Sequence, residues 1–318
     1  MSTLVLDHGQ VEELLTMPAC IKLMEETLVA LARDELYQPL RSVVRPPGAE
    51  GFMGLMPAHR GGEAAAFGLK VVCIFPGNPA RGLDAHQGAV LLFDGETGEV
   101  RAIVNASAIT AIRTAAVSAV ATRALAREDA RTLAILGAGV QAKSHVEALR
   151  ALHDWDRIVV WSRTRAHAEQ LGAQVADTAE DALRDADVVC TTTTSRKPIV
   201  RREWLKEGAH VNAVGSSIPT TRELDTATMA AAALFVDRRE STVNEAGDFL
   251  FPQREGAIGP DHIRAEIGEL LIGSAEGRRS PVELTVFKSL GLAVEDLAAA
   301  EHVLRRAEAE NVGTVVSL

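Results

Sequence analysis

Two hydrophobic periodicities divide the chain. Near its start Ile21, Met24, Leu28 and Leu31 recur at intervals of three and four, which places them on one face of an amphipathic helix. The Gln38-Pro39 break predicts where that helix ends. From Leu40 to about Val104 the apolar runs shorten to β-like stretches at residues 42–45, 67–75, 89–93 and 100–104, separated by Pro and Gly. This texture predicts a mixed sheet. Between the last two runs, Phe93-Asp94-Gly95-Glu96-Thr97-Gly98-Glu99 carries glycines suited to a hairpin. Residues 106–127, rich in Ala and Thr and free of Gly and Pro, predict a long helix leading out of the first domain.

Beyond that helix the pattern alternates. Short apolar runs at residues 133–136, 158–161, 187–191, 210–214 and 234–236 predict strands, and stretches near 141–152, 165–171, 179–184 and 227–232 predict helices between them. Strand and helix in alternation build a doubly wound parallel sheet with its ligand at the carboxyl ends of the strands. Residues 249–281 are rich in Gly, Pro and charge and predict loop and short helix. A last helical pattern through Leu297, Val303 and Leu304 can return the chain to the first domain. The expected fold class is α/β, a Rossmann-type doubly wound parallel sheet beside a mixed α+β domain.

Bulk properties narrow the chemistry. A length of 318 residues predicts two domains, and 47% apolar residues are ample for their cores. Acidic residues outnumber basic ones by 43 to 33, for a formal net charge of −10, and no block of Lys or Arg stands out. That balance disfavours a nucleic-acid or anionic-membrane partner and points to a small ligand. No uncharged apolar run approaches a membrane span, and residues 1–10 lack a signal-like pattern, so a cytoplasmic protein is expected. Cys20, Cys73 and Cys190 are odd in number, far apart and without C-x-x-C spacing, which predicts reduced thiols. The nine histidines form no metal-binding motif, and no metal is expected.

The stretch from Thr132 to His145 is the candidate nucleotide cradle. An apolar run breaks into Gly137 and Gly139, and a helix is expected to begin near Gln141. Gly137 permits a tight turn and Gly139 a close backbone approach. Val140 and Gln141 would open a helix whose free N–H groups face a pyrophosphate, with Ala142 as the third small residue of the motif. A glycine turn between strand and helix is also common in α/β proteins that bind no dinucleotide. At the end of the second strand of such a fold, an Asp or Glu meets a free ribose 2'-hydroxyl. Here Ser162-Arg163-Thr164 stands there instead, a guanidinium between two hydroxyls that suits a 2'-phosphate. NADP(H) is therefore favoured, with NAD(H) possible; the plainer reading of Arg163 is a solvated arginine.

Three lone cations precede the cradle. Lys70 sits in the apolar run Gly68-Leu69-Lys70-Val71-Val72, Arg113 in the apolar helix, and Arg41 at the start of a strand. Singly, each is an ordinary salt-bridge partner. Together they suggest an anionic substrate, and a lysine in a cleft can bind a carboxylate or donate a proton.

Several segments taken together resemble the ornithine cyclodeaminase/mu-crystallin family: Gln38-Pro39-Leu40-Arg41, Gly54-Leu55-Met56-Pro57-Ala58, His86-Gln87, Ile112-Arg113-Thr114-Ala115-Ala116, Gly137 to Ala142, Asn212-Ala213-Val214-Gly215, and Thr285-Val286-Phe287-Lys288-Ser289-Leu290-Gly291. The resemblance spans nearly the whole chain. It implies a Rossmann domain, expected at 118–290, inserted into a substrate-binding and dimerisation domain formed by 1–117 with 291–318, and a homodimer. It also implies carboxylate binding by Arg41, Lys70 and Arg113, ligand contact by Glu245, and cofactor contacts from His86 and Thr114 beside the glycine turn and the Ser162–Thr164 stretch.

Departures within the family decide the expected reaction. Its ornithine cyclodeaminases carry a Glu before the Leu-Met-Pro stretch and an Asp two residues after the Ala-Val-Gly glycine. Gly54 and Ser217 occupy those positions here. Without these acids a second ammonium has little to grip it, so a cyclodeaminase is disfavoured, as is an alanine dehydrogenase that keeps the latter acid. The family's ketimine reductases share Gly54, Ser217 and the Arg-Thr pair. The resemblance thus implies an NADPH-dependent reductase of a small, cyclic 2-imino carboxylate, giving an L-amino acid, with Lys70, Arg113 and Ser217 as catalytic candidates. A deaminating lyase with bound NAD and a non-catalytic binding protein stand as alternatives.

Overall fold

The computed structural model describes residues 2–317. The chain forms two compact units, one from Met1–Arg113 with Leu292–Leu318, the other from Thr114–Gly291.

The first unit opens with β1 (Ser2–Leu6), α1 (His8–Leu14) and α2 (Met17–Ala32). Buried Ile21, Met24, Leu28 and Leu31 form the inward stripe of α2. The helix ends earlier than the Gln38-Pro39 break predicts, because Asp34 takes a left-handed conformation (φ 58°) and starts a turn into β2 (Leu36–Tyr37). Then follow β3 (Ser42–Val44), β4 (Phe52–Arg60), β5 (Ala66–Ile74), β6 (His86–Asp94), β7 (Val100–Asn105) and the long helix α3 (Ala106–Leu125). The hairpin expected between β6 and β7 is present, with Asp94 accepting N–H bonds from Glu96 and Thr97.

The second unit continues with β8 (Thr132–Leu136), α4 (Val140–Leu152), β9 (Arg157–Trp161), α5 (Arg165–Glu169), β10 (Gln174–Val175), α6 (Ala179–Leu183), β11 (Val188–Thr191) and β12 (His210–Ala213). After them come α7 (Thr226–Ala231), β13 (Ala233–Val236), α8 (Arg239–Glu245), α9 (Gly247–Arg254), β14 (Ile263–Glu266), α10 (Ile267–Leu271) and β15 (Thr285–Lys288). The chain then rejoins the first unit through α11 (Ala293–Glu310) and β16 (Thr314–Ser317).

In the first unit the described strands form one sheet in the order β16-β1-β7-β6-β5-β4-β2, with β3 paired to β4. All pairs are antiparallel except β1 with β7. On β4 and β5 the buried positions alternate: Gly54, Met56 and Ala58 oppose Val72, Lys70 and Gly68, as one covered sheet face requires. Helix α11 lies over this face, where a Cβ at Gly68 would come within 2.9 Å of Leu297. The other face carries Val44, Met53 and Phe67, all exposed.

In the second unit the described strands form a parallel sheet in the order β10-β9-β8-β11-β12-β15-β13-β14. The order reverses between β8 and β11, the switch point at which doubly wound sheets bind ligands. The strand alternation of the sequence reappears with ends shifted by a residue or two. Three strands differ from expectation: the short β10 extends the sheet beside β9, β14 lies inside the segment expected as loop and short helix, and β15 inserts between β12 and β13.

The change of unit falls at Arg113/Thr114, ahead of the expected 117/118, because the side chains of α3 change partners there. Arg113 bonds to Glu295 and Asp296, whereas Ser118 pairs with His145 and Thr122 with Asn212. The return falls at Gly291/Leu292: the Gly291 N–H donates to Asp237 and the Leu292 N–H to Glu295. By length and composition α3 could cross a membrane, but most of it is buried within the protein.

Candidate active site

In the first unit two cations meet two acids out of water. Lys70 Nζ lies 2.6 Å from Asp296 Oδ2. Arg113 donates from Nε to Asp296 Oδ1 at 2.9 Å and from Nη1 to Glu295 Oε2 at 3.0 Å. All four residues are buried. Local structure explains their meeting: Lys70 points from the covered face of β5, Arg113 sits in the second turn of α3, and Glu295 and Asp296 occupy the first turn of α11. The start of α11 is fixed by Gln38, whose side-chain oxygen accepts the Val294 N–H at 3.0 Å. That bond also brings the Gln38-to-Arg41 stretch to the cluster.

The electrostatics follow from burial and mutual charge. Burial pushes the Lys70 ammonium down to about 8, against the upward pull of Asp296; Arg113 and Arg41 add to the lowering. For Asp296 burial acts upward, and the Arg113 and Lys70 charges overcome it, holding the carboxyl below its usual value. Two acids neutralise two cations, and Arg41 is close enough for Lys70 to sense its charge. His86 begins β6, and its pKa is lowered by the protein around it and then by the Lys70 charge. Of the cations expected to hold a substrate carboxylate, Lys70 and Arg113 are thus brought together, each engaged with an acid. Glu295 and Asp296 were not among the expected site residues. Two adjacent acids in the first turn of an otherwise apolar helix face are the signal that marks them.

In the second unit the glycine turn adopts the geometry of a phosphate cradle. Gly137 has φ 124°, and a Cβ there would lie 2.5 Å from Thr192 Oγ1; only glycine fits. Gly139 is different: its backbone is extended, and a Cβ would meet nothing within 4 Å. Its lack of a side chain therefore opens space above the turn. Helix α4 starts at Val140, with no side-chain cap at Gly139, so its first N–H groups point into that space. This arrangement fits a dinucleotide pyrophosphate. Gln141 follows, its carbonyl accepting a bond from the ring of buried His145 at 2.7 Å. The other ring nitrogen of His145 meets Ser118 Oγ at 2.9 Å. Burial lowers the His145 pKa to about 4, so the ring is a neutral brace.

The remaining candidates take separate places. Ser162, Arg163 and Thr164 follow β9, and Arg163 is exposed. No acid stands at the end of that strand, and its neighbour Arg165 pairs with Glu169 and Asp177. Thr114 is buried in α3. Ser217, half-buried, follows β12, and Glu245, half-buried, ends α8. Gly54 lies on the covered face of β4, its Cβ position 3.6 Å from Val72. Among the described residues no cluster suited to a metal occurs. Cys20, Cys73 and Cys190 are free thiols.

A profile of the ornithine cyclodeaminase/mu-crystallin family matches residues 1–311. Ketimine reductase mu-crystallin of Mus musculus is 40% identical over 308 residues, covering 94% of each chain. The structure of Thermococcus litoralis Delta(1)-pyrroline-2-carboxylate reductase, in complex with NADH and L-proline, superposes with a TM-score of 0.94 at 34% identity over 99% of this chain and 100% of that one. An archaeal alanine dehydrogenase dimer with bound NAD gives the same TM-score and identity over the full length of both chains. The chain belongs to the ornithine cyclodeaminase/mu-crystallin family.

Proposed function

We propose that this chain is an NAD(P)H-dependent oxidoreductase acting on C=N bonds, and more narrowly an NADPH-dependent reductase of small, cyclic 2-imino carboxylates that yields an L-amino acid. The observation that carries this reading is the buried Lys70–Arg113–Glu295–Asp296 cluster. It supplies an ammonium whose pKa is lowered to about 8 beside a guanidinium. Its similarity to a ketimine reductase and to a pyrroline-2-carboxylate reductase supports the reaction class.

When bound, the reduced nicotinamide supplies a hydride to the imine carbon. The chain's own residues do the rest. Arg41 and Arg113 hold the substrate carboxylate, which fixes the orientation of the imine carbon. As the new C–H bond forms, the C=N π electrons move to nitrogen, and the Lys70 ammonium delivers the proton. Asp296 keeps Lys70 protonated at neutral pH and aims it. Ser217 hydrogen-bonds the nitrogen, and Glu245 contacts the ligand. Gly137, Gly139, Val140 and Gln141 hold the pyrophosphate, Ser162, Arg163 and Thr164 bind the 2'-phosphate, and His86 and Thr114 contribute cofactor contacts.

The exposed sheet face bearing Val44, Met53 and Phe67, together with the dimer of the similar alanine dehydrogenase, supports a homodimer built on the first unit. Three free cysteines suit work in the cytoplasm.

The test is a spectrophotometric panel following NADPH and NADH with pyrroline-2-carboxylate, piperideine-2-carboxylate, and pyruvate plus methylamine. Faster turnover with the cyclic imines and NADPH is expected, and chiral analysis of the product reads its configuration. Oxidative deamination of alanine outpacing imine reduction would favour the dehydrogenase reading. Cyclisation of ornithine without net cofactor consumption would favour the lyase, against which Gly54 and Ser217 argue.

A further inference from the structure

The carboxyl ends of β11, β12 and β15 are tied together by three buried charged residues that the reductase mechanism does not use. Both oxygens of Glu223 are fully engaged. Oε1 accepts the Thr193 N–H at 2.7 Å and the Thr193 hydroxyl at 2.6 Å; Oε2 accepts the Thr191 hydroxyl at 2.7 Å and the Gly215 N–H at 2.8 Å. Asp248 Oδ1 in turn accepts the N–H groups of Glu223 and Leu224 at 2.8 and 3.0 Å. Lys288 neutralises Asp248 at 3.1 Å and donates to the Ala213 carbonyl at 3.0 Å. Packing here leaves no slack: a Cβ at Gly215 would lie 2.1 Å from the Thr193 carbonyl, and one at Gly247 1.8 Å from that of Thr221.

An apolar core would close these strand ends at less desolvation cost than two carboxylates and an ammonium. What the charges add is fixed geometry in two loops, one through Thr193 and one through Gly215 to Ser217. Both loops lie past the switch point, on the β11-β12-β15 side of the sheet. The cradle after β8 and Arg163 after β9 lie on its other side and serve the adenosine half.

We propose that Glu223, itself held by Asp248 and Lys288, is a positioning residue that fixes the strand-end loops bearing Thr193 and Ser217 for the nicotinamide half of the dinucleotide. The proposal rests on the dinucleotide part of the reading above and is independent of which imine is reduced.

Glu223→Gln tests it sharply. Each carboxylate oxygen faces one backbone N–H, which cannot reverse, so the amide nitrogen of glutamine opposes a donor in either orientation. The measurement is fluorescence titration of whichever of NADPH or NADH the wild type binds more tightly. It is paired with calorimetric titration of the matching adenosine half, 2'-phospho-ADP-ribose or ADP-ribose. Loss of a hydrogen bond to a charged group predicts about tenfold weaker dinucleotide binding or more, with the adenosine half unchanged within about twofold. Thr193→Val, which keeps the backbone N–H, should shift the dinucleotide the same way by less, and Thr193→Ser should restore it. If Glu223→Gln does not fold, the Thr193 pair carries the same comparison. Equal weakening of both ligands, or of neither, overturns the proposal, as does a wild type that binds no dinucleotide. Retained binding with no turnover on the imine panel sinks only the reductase reading.

Discussion

Arg113 Nε and Asp296 Oδ1 lie 2.9 Å apart although 183 residues separate them in sequence. The pair joins α3 to α11, and every residue of the second unit lies between them in the chain. Asp296 also holds Lys70, so one carboxylate sets both the position and the charge of the proposed proton donor.

Replacing Lys70 with Met should lower kcat by about 10²-fold or more, in the range of general acid catalysis, with little change in dinucleotide affinity. Unchanged turnover would remove Lys70 from the mechanism.

The protonated form of Lys70 exists below its pKa of about 8, so kcat/KM should be level at neutral pH and fall as pH rises through that value. Asp296 raises the Lys70 pKa, hence Asp296→Asn should move the falling limb to lower pH. Breaking the buried pairs should also destabilise the fold by about 3–5 kcal/mol, read by chemical denaturation. A limb that stays in place would assign it to another group.

Gly137 and Gly139 should respond in opposite ways. Gly137→Ala puts a side chain at φ 124° and 2.5 Å from Thr192, a strain of about 1–3 kcal/mol or more that thermal melting would register. Gly139→Val meets no protein atom, so stability should hold within about 0.5 kcal/mol while dinucleotide affinity drops. A Gly139→Val protein that binds NADPH normally would argue that no pyrophosphate sits there.

Arg163→Ala should raise the KM for NADPH by about tenfold or more, the loss of a charge-assisted bond, and leave NADH unaffected. Equal effects on both cofactors would remove the 2'-phosphate from its role.

Buried histidines predict acid sensitivity. His145 and His210 have pKa values lowered by burial to about 4 and about 3, so the unfolded chain binds more protons than the folded one below the ordinary value of about 6.5. Stability should therefore fall as pH drops from there toward 4, and His145→Gln should flatten the slope of melting temperature against pH.

What the sequence made legible was local. The glycine turn, the alternation of strand and helix and the isolated Lys70 and Arg113 could all be read because each is a pattern within a few turns of chain. The acids that engage those cations could not be read as partners, since nothing near Lys70 points to a helix beginning at Ala293. The end of α2 departs from expectation because Pro39 is a visible stop in the sequence and a left-handed Asp34 is not. Likewise β15, four residues between charged and glycine-rich flanks, reveals its slot between β12 and β13 only through pairing. Glu223 carries no local signal: its importance lies in four donors drawn from two separate stretches of chain.

The discontinuity of the first unit also orders its biosynthesis. A ribosome delivers Lys70 and Arg113 well before Glu295 and Asp296, with the whole of Thr114–Gly291 emerging in between. The proposed catalytic charges meet their carboxylates only after the second unit has left the ribosome, which can fold as a continuous segment while the first waits for α11. In the nascent chain the proposed proton donor is therefore among the last parts completed, once α11 has been made.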